Sequence, residues 1–208
     1  MPFHVVDHPL IQHKLAILRD KDTSMRKFRE LVSEITLLLA YESTRRLPTI
    51  PVEVETPLCR TTGATLDCVD LVISPILRAG LGMLPGMMEI MPTARIAYIG
   101  IKRDESTKEP QTYYFNVPNH LENTVVLVVD PMLATGGSLC GAIELVKRKN
   151  PREIIALCLI ASPEGRDRVL EDHPDVSVFV GALDERLDEN CFIVPGLGDA
   201  GDRMFGTS

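Results

Sequence analysis

Asp130 ends an apolar run, Val125-Val126-Leu127-Val128-Val129, and is followed by Pro131-Met132-Leu133-Ala134-Thr135-Gly136-Gly137-Ser138. A helix-like stretch, Leu139 to Lys149, comes next. Unbroken β-branched runs suit a parallel strand buried on both faces. At the carboxyl end of such a strand, main-chain N–H groups and the next helix N-terminus converge on one spot, which favours a phosphate. Gly136 and Gly137 let the main chain approach the anion, and Thr135 and Ser138 add hydroxyl donors. A carboxylate repels phosphate, so Asp130 implies that the ligand also offers sugar hydroxyls or a metal. A phosphorylated ribose satisfies both halves of the motif. The plain alternative is an ordinary βα turn whose glycines serve packing. A P-loop kinase or ATPase is excluded, because no Lys follows Gly137 as G-x-x-x-x-G-K-[ST] requires.

Three other segments could carry chemistry. Ser74-Pro75-Ile76-Leu77-Arg78-Ala79-Gly80-Leu81-Gly82 reads as a second strand-end loop after Leu71–Ile73. Its Arg78 is a permanently charged, forked donor suited to a diphosphate. Lys102 to Pro110 mixes charges of both signs, as in a loop that closes over a charged ligand or in a solvated hairpin tip. Gly196 to Thr207 carries four glycines and interspersed acids, unusual for a tail. Its main-chain N–H and C=O groups could read the edge of a flat, amide-like ring. The five histidines show no pairing with a nucleophile, and Met83, Met87, Met88 and Met91 read as helix packing.

These segments need a scaffold, and the pattern along the chain supplies one. Asp7 reads as the cap of a short helix over Leu10 to Leu18, and Thr23-Ser24 as the start of a second with Met25, Phe28, Val32, Ile35 and Leu39 on one face. Leu47 to Asp67 reads as an irregular β-arm. Strands at Leu71–Ile73, Arg95–Lys102, Thr112–Val117, Thr124–Val129, Ile154–Ile160 and Val176–Val180 then alternate with helices, including one from Leu81 to Met91 broken near Pro85. This rhythm predicts an α/β fold, a mostly parallel sheet flanked by helices. The tail from Pro195 reads as a loop. One domain over 1–208 is expected, with helices about 8–46, the β-arm about 47–67 and a catalytic core about 68–208.

The 208 residues have a normal globular composition and a net charge of -7, with no dense Lys/Arg stripe, which disfavours nucleic acid as a partner. No apolar stretch approaches a membrane span of about 18 residues. The five cysteines lack C-x-x-C or zinc spacing and read as buried free thiols of a reducing cytoplasm. With no signal-peptide pattern at Met1–Asp7, a cytoplasmic location is expected.

Asp130 to Ser138 resembles the phosphoribosyl-diphosphate loop of phosphoribosyltransferases, in the form found in the uracil phosphoribosyltransferase family. Ser74 to Gly82 resembles that family's diphosphate loop, and Gly196 to Thr207 its uracil-binding segment. Order, spacing and length agree over nearly the whole chain. The resemblance implies transfer of phosphoribosyl from 5-phosphoribosyl 1-diphosphate (PRPP) to uracil, giving uridine 5′-monophosphate (UMP) and pyrophosphate. It places Arg78 and Arg103 on the diphosphate, Asp130 on the ribose hydroxyls, and Pro131, Met132, Leu133, Ala134, Thr135, Gly136, Gly137 and Ser138 around the donor. Ile193, Gly198, Asp199 and Ala200 fall to uracil, with Asp199 also near the donor. Magnesium carried by the donor, a homodimer or higher homo-oligomer and, in some members, GTP as effector are further implications. Two departures stand out: many phosphoribosyltransferases carry two adjacent acids at Asp130-Pro131, and Gly-Tyr is common in the family at Cys191-Phe192. The rival readings are transfer to another base, such as a purine, and a catalytically silent nucleotide-sensing homologue.

Overall fold

The computed structural model describes residues 2–67, 70–103 and 110–207. The chain opens with β1 (Phe3–Val5), α1 (Pro9–Arg19) and α2 (Met25–Ser43), then β2 (Thr49–Glu55) and β3 (Arg60–Leu66). Next come β4 (Asp70–Leu77), a 3-10 turn (Ala79–Met83), α3 (Leu84–Ile90), β5 (Arg95–Ile96), β6 (Tyr98–Arg103) and β7 (Pro110–Asn116). The remainder is β8 (Thr124–Val129), β9 (Met132–Leu133), α4 (Gly137–Lys147), β10 (Glu153–Ala161), α5 (Pro163–Asp172), β11 (Ser177–Leu183), β12 (Arg186–Leu187), β13 (Ile193–Val194) and α6 (Ala200–Phe205).

The main sheet runs β1-β11-β10-β8-β4-β6-β7, with every neighbouring pair parallel except β6 and β7. The expected mostly parallel sheet is therefore present. β8 and β10 lie at its centre and are buried almost throughout, which is why they read as unbroken apolar runs. Alternation along β8 serves two layers. Val125, Leu127 and Val129 join a core with α1, α2, α3 and α6. Val126 and Val128 join the opposite core with Leu139, Ile143 and Val146 of α4 and Val169 of α5. Helices thus cover both faces, and the carboxyl ends of β10, β8, β4 and β6 share one edge.

Several expectations change. The cap of α1 is His8, not Asp7; its Nδ1 accepts from the Leu10 N–H at 3.2 Å. Pro9 then falls in the first turn, where its missing N–H costs nothing. The second helix starts where expected, with Ser24 as its cap. The arm is a regular antiparallel hairpin pairing Thr49 through Glu55 with Leu66 through Arg60. Ser74 to Leu77 belong to β4 rather than to a loop, since the Ser74 hydroxyl is satisfied by the Ala97 carbonyl at 2.8 Å. Pro85 opens α3 instead of breaking a helix. The tail contains α6, and β1 and the β12–β13 pair were not anticipated. Cys140 and Cys158 are buried, but Cys59 is exposed at the turn of the arm. The expected charged loop at 104–109 lies outside the described residues.

Candidate active site

β8 delivers Asp130 to the carboxyl edge, and the following nine residues fold back as one unit. The Asp130 N–H donates to the Leu157 carbonyl at 3.1 Å, and Pro131 presents its carbonyl to the N–H groups of Leu159 and Ile160. Met132 and Leu133 then pair with Ile160 and Ala161. Ser162, the cap of α5, donates its hydroxyl to the Ala134 carbonyl at 2.6 Å and accepts from the Gly165 N–H at 2.9 Å. The loop is therefore braced from behind by β10 and α5. Gly136 caps α4 at φ 79°, a conformation that costs other residues roughly 1–2 kcal/mol. Arg168 of α5 lies behind Gly136 and Gly137, where sequence spacing gave no hint of it.

Asp130, Met132, Leu133, Ala134, Thr135, Gly136, Gly137 and Ser138 line one cavity of about 60 Å³. Every residue assigned from sequence to the phosphoribosyl loop is thus brought together except Pro131, which is buried and turned to β10. Asp130 is partly exposed on this cavity. Desolvation pushes its carboxyl up to about 7, and the Met132 N–H that donates to it works in the other direction. Burial likewise raises the thiol of Cys158, with the Asp130 charge beside it adding to the effect. That thiol is inert packing.

The sheet register sets Arg78 next to this cavity. Pro75 of β4 lies opposite Val129 of β8, and Leu77 opposite Gly100 of β6. With strands about 4.8 Å apart, the loops after β8, β4 and β6 emerge side by side. Arg78 is exposed just past β4, and the peptide Leu77–Arg78 is cis. Arg103 ends β6 opposite Pro110, so its backbone lies on the same edge.

The C-terminal segment reaches this edge from the other side of the β4 loop. Ile193 is buried in β13, paired with Leu187. After the cis Val194–Pro195 bond and the Gly196 turn, Gly198 and Asp199 are exposed and Ala200 is buried. Asp199 caps α6 by accepting from the Asp202 N–H at 2.9 Å. A methyl built on Gly201 would stand 4.0 Å from the Cβ of Ala79, the residue after Arg78. Gly82 lies so close to Met204 that any side chain there would overlap the thioether. Gly201 and Met204 of α6 therefore pack against the 3-10 turn that follows Arg78.

The family model for uracil phosphoribosyltransferase matches residues 5–207. The chain belongs to the uracil phosphoribosyltransferase family. It is similar to the uracil phosphoribosyltransferases of Symbiobacterium thermophilum, at 56% identity, and Paracoccus denitrificans, at 54%. Each alignment covers 98% of this chain, with 97% and 96% of those proteins. A solved structure from Aquifex aeolicus superposes with a TM-score of 0.94 at 39% identity, covering 99% of both chains. A hypoxanthine-guanine phosphoribosyltransferase from Bacillus anthracis shares the fold at a TM-score of 0.50 and 16% identity, over 74% of this chain and 78% of that one.

Set against the family, Cys191 is informative. It adopts φ 65°, a region that favours glycine, at the position where the resemblance noted above implies Gly-Tyr. Phe192 is exposed, and its N–H donates to the Asp188 carboxylate at 2.8 Å. Sequence reasoning missed Arg19, Asp184 and Arg203, which hold Gly196 and Leu197 and tie them to partners far away in sequence. No helix of the described residues is long and apolar enough to cross a membrane.

Proposed function

We propose that the Asp130 cavity and the wall formed by residues 193–200 are the donor and base sides of one active site, which transfers phosphoribosyl from PRPP to uracil. The observation carrying this reading is that nearly the whole of residues 130–138 lines one cavity beside the Arg78 loop. In this reading the 5′-phosphate sits on the N–H groups of residues 134–138 at the start of α4. Asp130 accepts from the ribose hydroxyls. Arg78 and Arg103 meet the diphosphate, and main-chain groups of Ile193 and Gly198 to Ala200 meet uracil.

The chemistry follows from the charges. The C1′–O bond to diphosphate breaks as N1 of uracil bonds to C1′, so positive charge grows on the ribose and negative charge on the leaving group. Arg78 and Arg103 stabilise the leaving group, and one such preorganised contact is typically worth about 2.7–4 kcal/mol. Holding N1 in line with C1′ supplies a further share. Uracil N1–H is weakly acidic, so its proton needs no strong side-chain base.

Magnesium enters this proposal as part of the donor. Among the described residues no three His, Cys, Asp or Glu side chains converge. Asp130 has Pro131 where many phosphoribosyltransferases have a second acid, and one oxygen of Asp199 is committed to capping α6. These groups fit a metal–diphosphate complex as substrate better than an ion held by protein alone.

The same reading extends to assembly and control. The hairpin β2–β3 is exposed along both strands and carries Ile50, Val52 and Val54 on one face. An isolated two-stranded hairpin is marginal in water, so this face supports a homodimer in which the arm is covered by a second copy. For GTP, a cleft of about 340 Å³ offers two cations and a ring: Arg45, Arg46, and His4 stacked at 4.6 Å on Phe179. A cytoplasmic location fits the buried free thiols.

The test is pyrophosphate release from PRPP and magnesium with uracil, cytosine, adenine, guanine or hypoxanthine supplied singly. Release with uracil alone supports the reading. Release with a purine instead would keep the donor site and overturn the base assignment.

A further inference from the structure

We infer that Arg203, together with the Arg19–Asp184 pair, forms a clamp of positioning residues that fixes the base-reading segment onto the end of α1; this rests on the reading of residues 193–200 given above. Arg203 donates through Nη1 to the carbonyls of Leu18 and Leu197, both at 2.8 Å, and through Nη2 to the carbonyl of Asp20 at 2.5 Å. Its guanidinium stands 4.4 Å above the Phe28 ring, a cation–π contact. Among the described residues it makes no ion pair within 4.0 Å, so its donors go to main-chain carbonyls on both sides of a joint. One side is the α1–α2 turn, and the other is the residue before Gly198.

Arg19 secures the adjacent residue. It forks onto Asp184, Nη1 to Oδ2 at 2.7 Å and Nη2 to Oδ1 at 2.5 Å, with the Asp184 side chain 4% exposed. Nη1 also donates to the Gly196 carbonyl at 2.7 Å, and Asp184 accepts from the Gly196 N–H at 2.9 Å. Both main-chain polar groups of Gly196, and the carbonyl of Leu197, are therefore held by side chains. Gly198, Asp199 and Ala200 follow this fixed point in the chain and lead to Gly201, which lies against Ala79. Main-chain groups that read a flat base discriminate only if their spacing is set before the base arrives. The two N-terminal helices thereby take part in base recognition without touching the base.

The experiment compares wild type with Arg203→Met, Arg203→Lys and Asp184→Asn, at a temperature where circular dichroism shows all of them folded. Kinetics are measured against uracil and PRPP separately, and binding of magnesium–PRPP is followed by calorimetry. Arg203→Met should raise KM for uracil about tenfold, the size of one lost charge-assisted hydrogen bond, and leave KM for PRPP and its calorimetric Kd within twofold. Arg203→Lys should recover part of the loss, and Asp184→Asn should shift the same parameter as Arg203→Met. Losses of kcat alone, or equal rises in both KM values, would mean a purely structural role and overturn the clamp. Absence of uracil turnover in wild type would instead remove the underlying reading, and the clamp with it.

Discussion

Gly80 rests against Val129: a methyl built on Gly80 would stand 2.6 Å from the Val129 carbonyl and 3.2 Å from the backbone of Pro75. This contact joins the loop of Arg78 to the strand that ends in Asp130. The two halves of the proposed donor site are thus set against each other by backbone, with no side chain between them.

Gly80→Ala should consequently move Arg78 relative to Asp130. An ångström of misplacement can cost about a hundredfold in rate. Steady-state pyrophosphate release should show kcat/KM for PRPP falling by at least roughly tenfold, with the protein still folded by circular dichroism. Kinetics like wild type would mean that the contact does not set the geometry.

Asp130→Asn should separate stability from activity. The carboxyl is held near 7 in the fold, against an ordinary value near 4 once unfolded. Between these values the folded state binds more protons, so wild-type stability falls as pH rises through that window and then levels. The Asn variant lacks this loss. Its Tm without ligand should exceed that of wild type at pH 8, and the gap should close toward pH 4. Turnover should drop by roughly tenfold or more as the ribose hydroxyls lose a charged acceptor. Equal Tm differences at both pH values would contradict the burial argument.

Val52→Lys with Val54→Lys should test the arm. Both residues are exposed on the hairpin, and Leu58 at its turn is 94% exposed. Sedimentation velocity of wild type should give a dimer or larger species, and the double variant should shift toward the monomer. An unchanged distribution would place the interface elsewhere.

Cys191→Gly should stabilise the protein. A side chain at φ 65° costs roughly 1–2 kcal/mol, part of which returns as glycine's greater freedom in the unfolded chain. The expected gain is about 1 kcal/mol in urea unfolding, with uracil kinetics unchanged. A loss of stability would mean that the thiol packs to more effect than the strain costs.

How far the residues alone revealed the molecule depended on the range of the forces. β8 was bounded at Thr124 and Val129 as found, because a central parallel strand shows itself as an uninterrupted apolar run. The residues that line the Asp130 cavity were legible because they are local, nearly all within nine consecutive positions. α6 was missed because glycines and acids mask a six-residue helix, although Asp199 and Asp202 stand at its cap and first turn. The extent of β4 was missed because Ser74-Pro75 imitates a turn, and only the distant Ala97 carbonyl makes the buried serine acceptable. Arg19 and Asp184 are 165 positions apart, and no periodicity links them.

The tie between Arg203 and Leu18 spans 185 positions. The loop around Asp130 is braced by β10 and α5, close by in sequence. Contacts of small separation close first, since the entropy lost in joining two points grows with the chain between them. The Asp130 cavity should therefore become native early in folding, and the segment around Gly196 and Leu197 last. On the proposed assignment, the donor side of the site would take shape before the side that tells one acceptor from another.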